Sequence, residues 1–487
     1  MYRVFRGRTV ILHASTLWGI HPILFSAFQR YGFQCVGDRT RRCDLIMQKH
    51  EAIAPDPAKR VVIVGGGFAG VTLAQRLERL LSTEMEIVVL SEDNHLVFTP
   101  LLPEVVGRII SPLHVVVAGR RLTRRTKWLE ARVSRIDREN NEAHYFRRDG
   151  TAAVLGYTHL VLACGAAANL QEIPGLAARG YALKTVMDAI VMGNDLIGNF
   201  EAAAAESDPE KCQRLLTVVV IGGGFSGVEV AGHIADLMRS VHRFYPELQR
   251  QIPHVVLLQK GKHLLPELHH ESLSKFTLQK LRQNGIKVRL DTIARKVDAI
   301  AVHLASDVLI ETAMIVCTVG TETHPLIKSL GLPLDKGRLK TDPDMKVSGM
   351  ANLWSLGDCS LVPNAWDGRP CPATAQFAMQ EARQLAANLA CASAGATTKP
   401  FYFRPRGMLA SIGHRKAVAV IYGVKLSGFI AWFLWRGIYL AKLPTFSRKL
   451  EVAMNWAVSI PFPPNIVQLR LPHKPPPEAA GERPKTK

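Results

Sequence analysis

Two stretches of the chain share one order of apolar and small residues. Residues 61–64 form an apolar run of strand length, residues 65–70 are rich in glycine, and residues 71–81 carry apolar side chains at helical spacing. Residues 216–221, 222–227 and those from Val228 onward repeat this order, with a phenylalanine at the same offset. Each stretch therefore predicts a buried strand, a tight turn and a helix, as at the start of a dinucleotide-binding unit.

The glycines of the two turns have separate roles in such a unit. The first permits the tight turn, the second lets a pyrophosphate approach the backbone, and the third lets the helix pack closely on the strand. The phosphates then meet the free N–H groups at the start of the helix. Two sites predict one bound flavin nucleotide and one exchanging nicotinamide nucleotide. The expected contacts are Gly65, Gly67, Phe68, Ala69 and Gly70 in the first turn, and Gly222, Gly224, Phe225 and Gly227 in the second.

The residue after the second strand of each unit predicts how a ribose is held. Residues 86–90 form the first of these strands, and we expect Glu92 to bind the adenosine ribose, with Ser91 as the alternative one position earlier. Residues 254–258 form the other strand, and Gln259 follows it where an NADH-selective site carries an acid. Because an amide does not repel the extra phosphate of NADPH, we expect use of both NADH and NADPH. The alternative is that Gln259 only ends a strand in solvent.

Three further apolar runs predict strands that complete the units. Residues 158–165 end at Gly165 and close the first half of a flavin domain, and residues 313–320 end at Gly320 and return the chain to that domain. Residues 352–359 contain Gly357 and Asp358 at the end of a strand, where the carboxylate can hold a polyol or merely cap the strand. Residues 373–390 predict a helix.

The order of these elements predicts an α/β fold with two Rossmann-like dinucleotide-binding domains. Residues 59–179 and 309–400 are assigned to an FAD domain, and residues 180–308 to an NAD(P)H domain inserted between its two parts. A chain of 487 residues is long enough for this arrangement. The eight cysteines lack a Cys-x-x-Cys spacing, which argues against zinc, iron–sulfur ligation and a disulfide framework. We therefore expect no metal site and a reducing compartment.

The net charge of +20 is concentrated near the C-terminus. Residues 401–474 contain eleven Lys or Arg and a single acid, Glu451. Interleaved Trp and Phe favour an anionic membrane surface over nucleic acid as the partner. The uninterrupted apolar run, residues 426–435, is about half of the roughly 20 residues that a spanning helix needs, so we expect it to lie in the membrane interface, with a buried core helix as the alternative. Residues 401–472 are thus predicted to be a membrane-associating module, and residues 473–487 a disordered tail.

Residues 1–58 predict no helix or strand. Their basic residues before Met47 are all arginines, which is typical of a mitochondrial transit peptide. We favour instead an over-extended start, with Met47 as the initiator.

Several motifs together resemble the type II, non-proton-pumping NADH:quinone oxidoreductases. The resemblance covers residues 59 to about 470 and rests on residues 65–70, 98–103, 222–232, 264–266, 357–359, 375–380 and 435–440. It implies FAD under the first glycine turn, NAD(P)H under the second, a quinone pocket beside Ala375 and Gln376, and a membrane-bound homodimer. The implied location is peripheral, on the cytoplasmic face of a cell inner membrane, rather than on the mitochondrial inner membrane. The chain departs from the family pattern at Cys164, at His233 and in the first 46 residues.

The resemblance also implies the roles of three polar residues. A hydride passes from NAD(P)H to FAD, and two electrons then pass to a quinone. Glu229 is implied as a polar contact near the nicotinamide and a candidate proton relay, with a helix-start acid as its structural alternative. Gln376 and Gln380 are four apart on one helix face and can donate to a quinone carbonyl, or alternatively bond to loop carbonyls.

Two other functions remain open on the sequence alone. A sulfide:quinone oxidoreductase has the same two-domain arrangement and needs redox cysteines beside the flavin, which Cys164 with Cys359 or Cys317 would supply. A lone cysteine is more often a small buried apolar residue. The other candidate is a flavin-bearing redox sensor that binds NAD(P)H without meaningful turnover.

Overall fold

The structure is a computed structural model that describes residues 59–469. The predictions for residues 1–58, including the choice between a transit peptide and a start at Met47, lie outside the described residues. So does the predicted tail, residues 473–487.

The described residues form strands and helices in alternation. The strands are β1 (Arg60–Val64), β2 (Glu86–Ser91), β3 (His95–Val97), β4 (Val116–Ala118), β5 (Lys127–Asp137), β6 (Glu142–Arg147), β7 (Ala152–Gly156), β8 (His159–Leu162), β9 (Ala167–Ala168), β10 (Gly180–Tyr181), β11 (Thr217–Ile221), β12 (His254–Leu258), β13 (Ile286–Arg289), β14 (Ala294–Val297), β15 (Ala301–Leu304), β16 (Leu309–Glu311), β17 (Met314–Cys317), β18 (Thr321–Glu322), β19 (Leu334–Asp335), β20 (Arg338–Lys340), β21 (Leu353–Ser355), β22 (Ser360–Leu361), β23 (Gly407–Ser411), β24 (Ala417–Ile421) and β25 (Val424–Gly428). The helices are α1 (Phe68–Leu80), α2 (Leu102–Val106), α3 (Gly119–Leu122), α4 (Leu176–Arg179), α5 (Val186–Ala204), α6 (Pro209–Leu215), α7 (Phe225–His242), α8 (Glu271–Gln283), α9 (Pro325–Ser329), α10 (Ala375–Ser393), α11 (Phe429–Lys442) and α12 (Phe446–Val458).

The first domain is built on a seven-stranded sheet in the order β21-β8-β1-β2-β5-β6-β7. The first five strands in this order are parallel, and every residue of β1 is buried. Apolar runs of this kind suit parallel strands because both faces of such a sheet are covered by helices. Helices α1 and α10 pack on each other over this sheet. The strands predicted within residues 61–64, 86–90, 158–165 and 352–359 are therefore confirmed as β1, β2, β8 and β21.

Strand β5 was not predicted, and it changes partner along its length. Residues 127–130 pair in parallel with β2, and residues 131–137 pair in antiparallel fashion with β6. Its buried residues do not follow a simple alternation, since the strand passes from a covered sheet to an exposed antiparallel ribbon.

The second domain has an all-parallel sheet in the order β10-β17-β11-β12-β13. Val64 pairs with Leu90 in the first domain, and Ile221 pairs with Leu258 at the same place in the second. A separate antiparallel sheet of β14, β15 and β16 completes this domain. The predicted α/β class with two Rossmann-like domains is confirmed.

The predicted boundary at residues 308 and 309 is wrong. Strand β17 lies between β10 and β11, so residues 313–320 belong to the second domain and do not return the chain to the first. The two crossings between the domains lie side by side, where Ala168 of β9 pairs with Thr321 of β18. An apolar run predicts that a strand is buried, but not which strands flank it, because pairing is non-local.

The C-terminal region begins with three antiparallel strands, β23, β24 and β25, which the sequence reading missed. The predicted apolar run is divided, since β25 ends at Gly428 and α11 begins at Phe429. Within residues 59–469, no helix combines the length and the apolar character needed to cross a membrane.

The boundary predicted at residue 400 is also displaced. Phe401 is 1% exposed and packs in the core of the first domain, and the Phe403 ring contacts that of Phe377 at 5.2 Å between centroids. The C-terminal strands and helices instead share one continuous apolar core with the second domain, including Val228 and Trp435. They are therefore an integral layer of the fold.

Candidate functional site

The first glycine turn, residues 65–70, joins β1 to α1 in a geometry that requires glycine. Gly65 has φ of 115°, and a Cβ on it would lie 2.3 Å from the Ala163 carbonyl oxygen. A Cβ on Gly70 would lie 1.9 Å from the Gly65 oxygen. Helix α1 begins at Phe68 without a side-chain cap, so its first N–H groups are available to an acceptor.

Gly67 differs from its neighbours because space is open beside it. It has φ of −76°, and a Cβ there would meet no atom within 4 Å. An alanine would fit the fold at this position, and its methyl group would occupy the open space. The geometry matches a turn whose second glycine leaves room for a pyrophosphate.

Ser91, and not Glu92, faces this turn. A Cβ on Gly66 would lie 2.6 Å from Ser91 Oγ, whereas Glu92 is exposed. The pairing register makes Ser91 equivalent to Gln259 of the second domain. The structure thus favours the alternative residue over the acid that the sequence reading preferred.

The opposite side of the site is formed by Gly357 and Asp358. A Cβ on Gly357, which has φ of 75°, would lie 3.4 Å from the Ala69 Cβ and 3.7 Å from the Ala378 Cβ, so this turn lies between the starts of α1 and α10. Asp358 is half-buried, and burial raises the pKa of its carboxyl. The positive charges of Lys184 and Arg338 lower this pKa in part, but burial has the larger effect.

Glu381 was missed by the sequence reading. It is 2% exposed on α10, and its Oε2 accepts a hydrogen bond of 2.7 Å from the Gly357 N–H. Burial raises its pKa to about 7. Its signal in the sequence is an acid on the face of α10 that also carries Phe377 and Leu385, where an apolar residue is expected. The carboxyl holds the turn that carries Asp358.

Gln376 and Gln380 lie in the first turns of α10, next to the Gly357 turn. Both are half-buried. Gln380 Oε1 accepts a hydrogen bond of 3.3 Å from Arg383, and the Gln376 side chain makes no hydrogen bond within the described part of the chain. At least one of the two amides is therefore available to a ligand.

The second glycine turn, residues 222–227, repeats the first in its backbone. Gly222 has φ of 114°, and a Cβ on Gly227 would lie 1.8 Å from the Gly222 oxygen. Gln259 turns toward this loop, since its Oε1 accepts from the Gly223 N–H at 2.9 Å and its Nε2 donates to the His263 oxygen at 3.1 Å. It does not merely end a strand in solvent.

Two acids lie close to this second turn. A Cβ on Gly224 would lie 2.6 Å from Glu267 Oε1, which was not anticipated. A Cβ on Gly320 would lie 2.8 Å from Glu172 Oε2. Because β17 belongs to the second sheet, Gly320 borders the second site and not the first, which corrects its assignment. Gly165, with φ of 68°, follows β8 and stays with the first site.

Glu229 is buried in α7, where it contacts the C-terminal strands. Its Oε1 accepts from the Ser411 N–H at 2.9 Å. Burial raises its pKa to about 8, opposed by the Ser411 hydrogen bond and by Trp435, and the nearby Glu104 raises it further. This carboxyl can therefore hold a proton near neutral pH.

Of the three candidate redox cysteines, the structure brings two together. The interaction between their thiols raises the pKa of Cys164 well above its ordinary value and lowers that of Cys359 to about 6. Cys359 is 3% exposed and Cys164 is half-buried. Cys317 lies in β17, within the second sheet.

Helices α11 and α12 present apolar side chains to solvent. Ile430 is 70% exposed on α11, and Phe446 is 80% exposed at the start of α12. The other exposed apolar residues of these helices are Phe429, Phe433, Leu450, Met454 and Val458. Basic residues such as Lys425 and Lys442 flank this surface, which we name the apolar helix face. Large exposed apolar surfaces mark sites of protein or membrane contact.

The sequence profile of the family described as pyridine nucleotide-disulphide oxidoreductase matches residues 59–382, and that of the NDH2 C-terminal domain matches residues 406–462.

The chain also aligns with curated proteins over most of its length. It is 29% identical over 437 residues to the type II NADH:quinone oxidoreductase Ndh of Mycobacterium tuberculosis, covering 85% of this chain and 90% of that protein. It is 27% identical over 453 residues to the mitochondrial internal alternative NAD(P)H-ubiquinone oxidoreductase A1 of Arabidopsis thaliana, covering 85% and 87%. The structure of NDH2 from Plasmodium falciparum in complex with NADH has a TM-score of 0.78 at 18% identity, covering 84% of this chain and all of that one. This last likeness supports the fold.

Proposed function

The chain belongs to the pyridine nucleotide-disulphide oxidoreductase family, and we propose from this premise that it is a type II NADH:quinone oxidoreductase that uses FAD and pumps no protons. The relatives confirm the resemblance that the sequence motifs indicated. The observation that carries the proposal is the pair of equivalent glycine turns, one beside α10 and its two glutamines, in a chain whose residues 406–462 match the NDH2 C-terminal domain.

FAD, when bound, supplies a two-electron acceptor that takes a hydride from NADH and returns electrons to a quinone. We assign its pyrophosphate to the first glycine turn, its adenosine ribose to Ser91 and its ribitol to Asp358. The open space beside Gly67 and the uncapped start of α1 fit this group. Glu381 holds the Gly357 turn in place for it.

NADH is assigned to the second glycine turn. Gln259 accepts from the Gly223 N–H, which supports our assignment of its amide to the ribose position, and the amide carries no charge against the 2′-phosphate of NADPH. Use of NADPH beside NADH therefore remains our expectation. Gln376 and Gln380 are proposed to donate to a quinone carbonyl at the far side of the flavin.

One spectroscopic experiment tests this function. The purified holoenzyme is mixed anaerobically with NADH, and then with a short-chain quinone, while the flavin absorbance is followed. We expect rapid bleaching and rapid recovery. No bleaching by NADH, or no recovery with quinone, would contradict the proposal.

The sulfide:quinone alternative rests on the contact between Cys164 and Cys359. It predicts that sulfide bleaches the flavin and that Cys164→Ala abolishes this reaction. A redox sensor predicts slow recovery with every quinone. The same experiment with sulfide as reductant separates the three functions.

We propose that the apolar helix face lies in the membrane interface. Its exposed side chains and flanking lysines suit the boundary of an anionic bilayer. Co-sedimentation with anionic vesicles should fall strongly for Ile430→Glu, which places a charge on this face. Ile252→Glu is the matched control, because Ile252 is 66% exposed on the second domain, and it should bind like the parent chain.

A homodimer and a site on the cytoplasmic face of a cell inner membrane are part of the same proposal. They rest on the family resemblance, and the exposed apolar surface is compatible with both. Sedimentation velocity in detergent tests the dimer, and protease accessibility in right-side-out and inverted vesicles tests the face.

A further inference from the structure

Strands β2 and β12 end at equivalent positions, and the residues that follow them differ in charge. The pairing register makes Ser91 equivalent to Gln259, so Glu92 and Lys260 occupy the same place in their two domains. The two residues after Glu92 are an acid and an amide, whereas those after Lys260 are a glycine and a second lysine, Lys262. The chain is therefore acidic where it leaves β2 and basic where it leaves β12.

The loop that follows β12 is held against the second glycine turn. Gln259 Oε1 accepts from the Gly223 N–H at 2.9 Å, and Gln259 Nε2 donates to the His263 oxygen at 3.1 Å, which closes the loop on itself. The backbone of Gln259 is fixed as well, because its N–H donates to the Arg289 oxygen and its oxygen accepts from the Thr292 N–H, both at 2.9 Å. The backbone that carries the two lysines thus has a set position beside the turn.

Three cations border this loop. Lys260 and Lys262 are exposed on it, and Arg289 is exposed at the end of β13, where its backbone oxygen bonds to the loop. Within residues 59–469 none of the three forms an ion pair with a carboxylate. Lysine and arginine side chains that are free of carboxylates are available to an anion, and phosphate is an anion that both residue types bind well.

The acids in this region leave the positive charge in excess. Asp291 is exposed, and its N–H donates to the Gly261 oxygen at 3.3 Å. Glu267 lies over Gly224, at the start of α7 and not at the end of β12. Three cations and one carboxylate, that of Asp291, therefore border the end of β12.

We propose that Lys260, Lys262 and Arg289 form a subsite for a phosphate ester on the 2′-oxygen of an adenosine ribose. In a Rossmann domain the residues after the second strand meet this ribose, and a nearby cation accommodates the 2′-phosphate of an NADP-type nucleotide. The adenosine ribose of FAD carries no such phosphate, so Glu92 at the equivalent place of the first domain repels nothing. NADPH is thus attracted by the second site, beyond the lack of repulsion that Gln259 provides. The proposal rests on the proposed function for the assignment of the nicotinamide nucleotide to the second turn.

Calorimetric titration of the oxidised holoenzyme tests the subsite without turnover. The probes are adenosine 2′,5′-bisphosphate and adenosine 5′-monophosphate, which differ only in the 2′-phosphate. We expect the bisphosphate to bind about tenfold more tightly at low salt. Because the three cations are exposed, this preference should shrink as salt is raised from about 0.02 M to about 0.3 M.

Charge reversal at one position should remove most of this preference. Lys260→Glu gives the second domain the charge that Glu92 gives the first, so binding of the bisphosphate should weaken about tenfold while binding of the monophosphate changes less than about twofold. Lys262→Gln and Arg289→Gln remove one cation each and should reduce the preference by about two- to threefold. Arg250→Glu is the matched control, because Arg250 is exposed before the opposite end of β12, and it should leave the preference unchanged.

Three results would overturn the proposal. The first is equal binding of the two probes by the parent enzyme at low salt. The second is a preference that survives in the double variant Lys260→Glu, Lys262→Gln. The third is an equal loss in Arg250→Glu, which would show an effect of net charge alone. If Lys260→Glu does not retain FAD, Lys260→Gln removes the cation without adding an acid, and an unchanged preference in this variant would also contradict the subsite.

Steady-state kinetics complete the test and separate this proposal from the proposed function. In Lys260→Glu the KM for NADPH should rise about tenfold with little change in kcat, and the KM for NADH should stay nearly constant. Bleaching of the flavin by NADH without any preference for the bisphosphate would reject the subsite and leave the function in place. A preference for the bisphosphate in an enzyme whose flavin NADH does not bleach would reject the function and leave the subsite in place.

Discussion

The two glycine turns are nearly identical in their backbone and different in their surroundings. Gly65 and Gly222 have φ of 115° and 114°, and in both turns the third glycine lies too close to the carbonyl of the first to carry a Cβ. Space is open beside Gly67, whereas the Glu267 carboxylate lies over Gly224. The short-range geometry is thus repeated, and the contacts from distant parts of the chain are not.

The helices that follow the turns also differ in what they contact. Helix α1 packs on α10 within its own domain, while α7 buries Glu229 and His233 against the C-terminal strands and helices. The Gly357 turn borders the first site from within the same domain, which suits a resident FAD. The second adjoins an exposed acid, Glu267, and its open surface suits a nucleotide that binds and leaves in each turnover.

The largest expected effect comes from adding one methyl group to either glycine turn, which should affect FAD in the first turn and NADH in the second. Gly67→Ala should retain the fold, because no atom lies within 4 Å of the new Cβ, but lower FAD affinity by at least about tenfold, or ~1.4 kcal/mol. Gly224→Ala should retain FAD and weaken reduction by NADH to a similar degree. FAD absorbance and rapid-mixing kinetics measure the two effects. Gly437→Ala, also with open space, is the control and should change neither; equal loss of FAD in Gly67→Ala and Gly224→Ala would contradict the assignment.

The next effect concerns the acceptor side of the first site. Gln376→Ala should slow quinone reduction about tenfold, while NADH-driven flavin reduction and the reduction of a small soluble acceptor stay nearly intact. Gln380→Ala should have a smaller effect, since its amide already accepts from Arg383. Gln384→Ala, on the same helix and bonded to Asn388, is the matched control. Equal loss of all activities, or loss of FAD, would show a structural role.

An effect of similar size should appear in nucleotide choice. Gln259→Glu places a carboxylate where we assign the ribose, so the catalytic efficiency with NADPH should fall about tenfold relative to NADH. The comparison predicts that Ser91→Glu, at the equivalent place in the first turn, leaves this ratio unchanged. Steady-state kinetics with both nucleotides measure it. A constant ratio for Gln259→Glu would exclude this residue from the ribose site.

The smallest effect is expected at Glu267. Glu267→Gln removes the negative charge over Gly224, so the KM for NADH should fall by about two- to threefold with little change in kcat, because an exposed charge is screened by water. A rise in KM would instead show that the carboxylate helps to bind the nucleotide.

Local pattern was sufficient for the strands and turns that carry the dinucleotide sites. A buried run of β-branched residues followed by spaced glycines has one low-energy geometry, so β1, β11 and both turns were predicted correctly. The family resemblance extended this to the NDH2 C-terminal domain. Strands β23 to β25 were missed because each is only five residues long and two of them mix apolar with small or polar residues. Their pairing with one another stabilises them, and a local pattern does not show it.

The sequence by itself determined the two dinucleotide-binding units, their order along the chain and the chemistry of their turns, since each depends on residues within about 30 positions. The tertiary structure decided which sheet takes β17, that Ser91 rather than Glu92 faces the first turn, and that Glu381 supports Gly357. It alone brought Glu104, Glu229 and Arg436 together from positions more than 100 residues apart. Pairing, side-chain direction and charge balance depend on neighbours that are close in space and distant in sequence, and no local pattern records them.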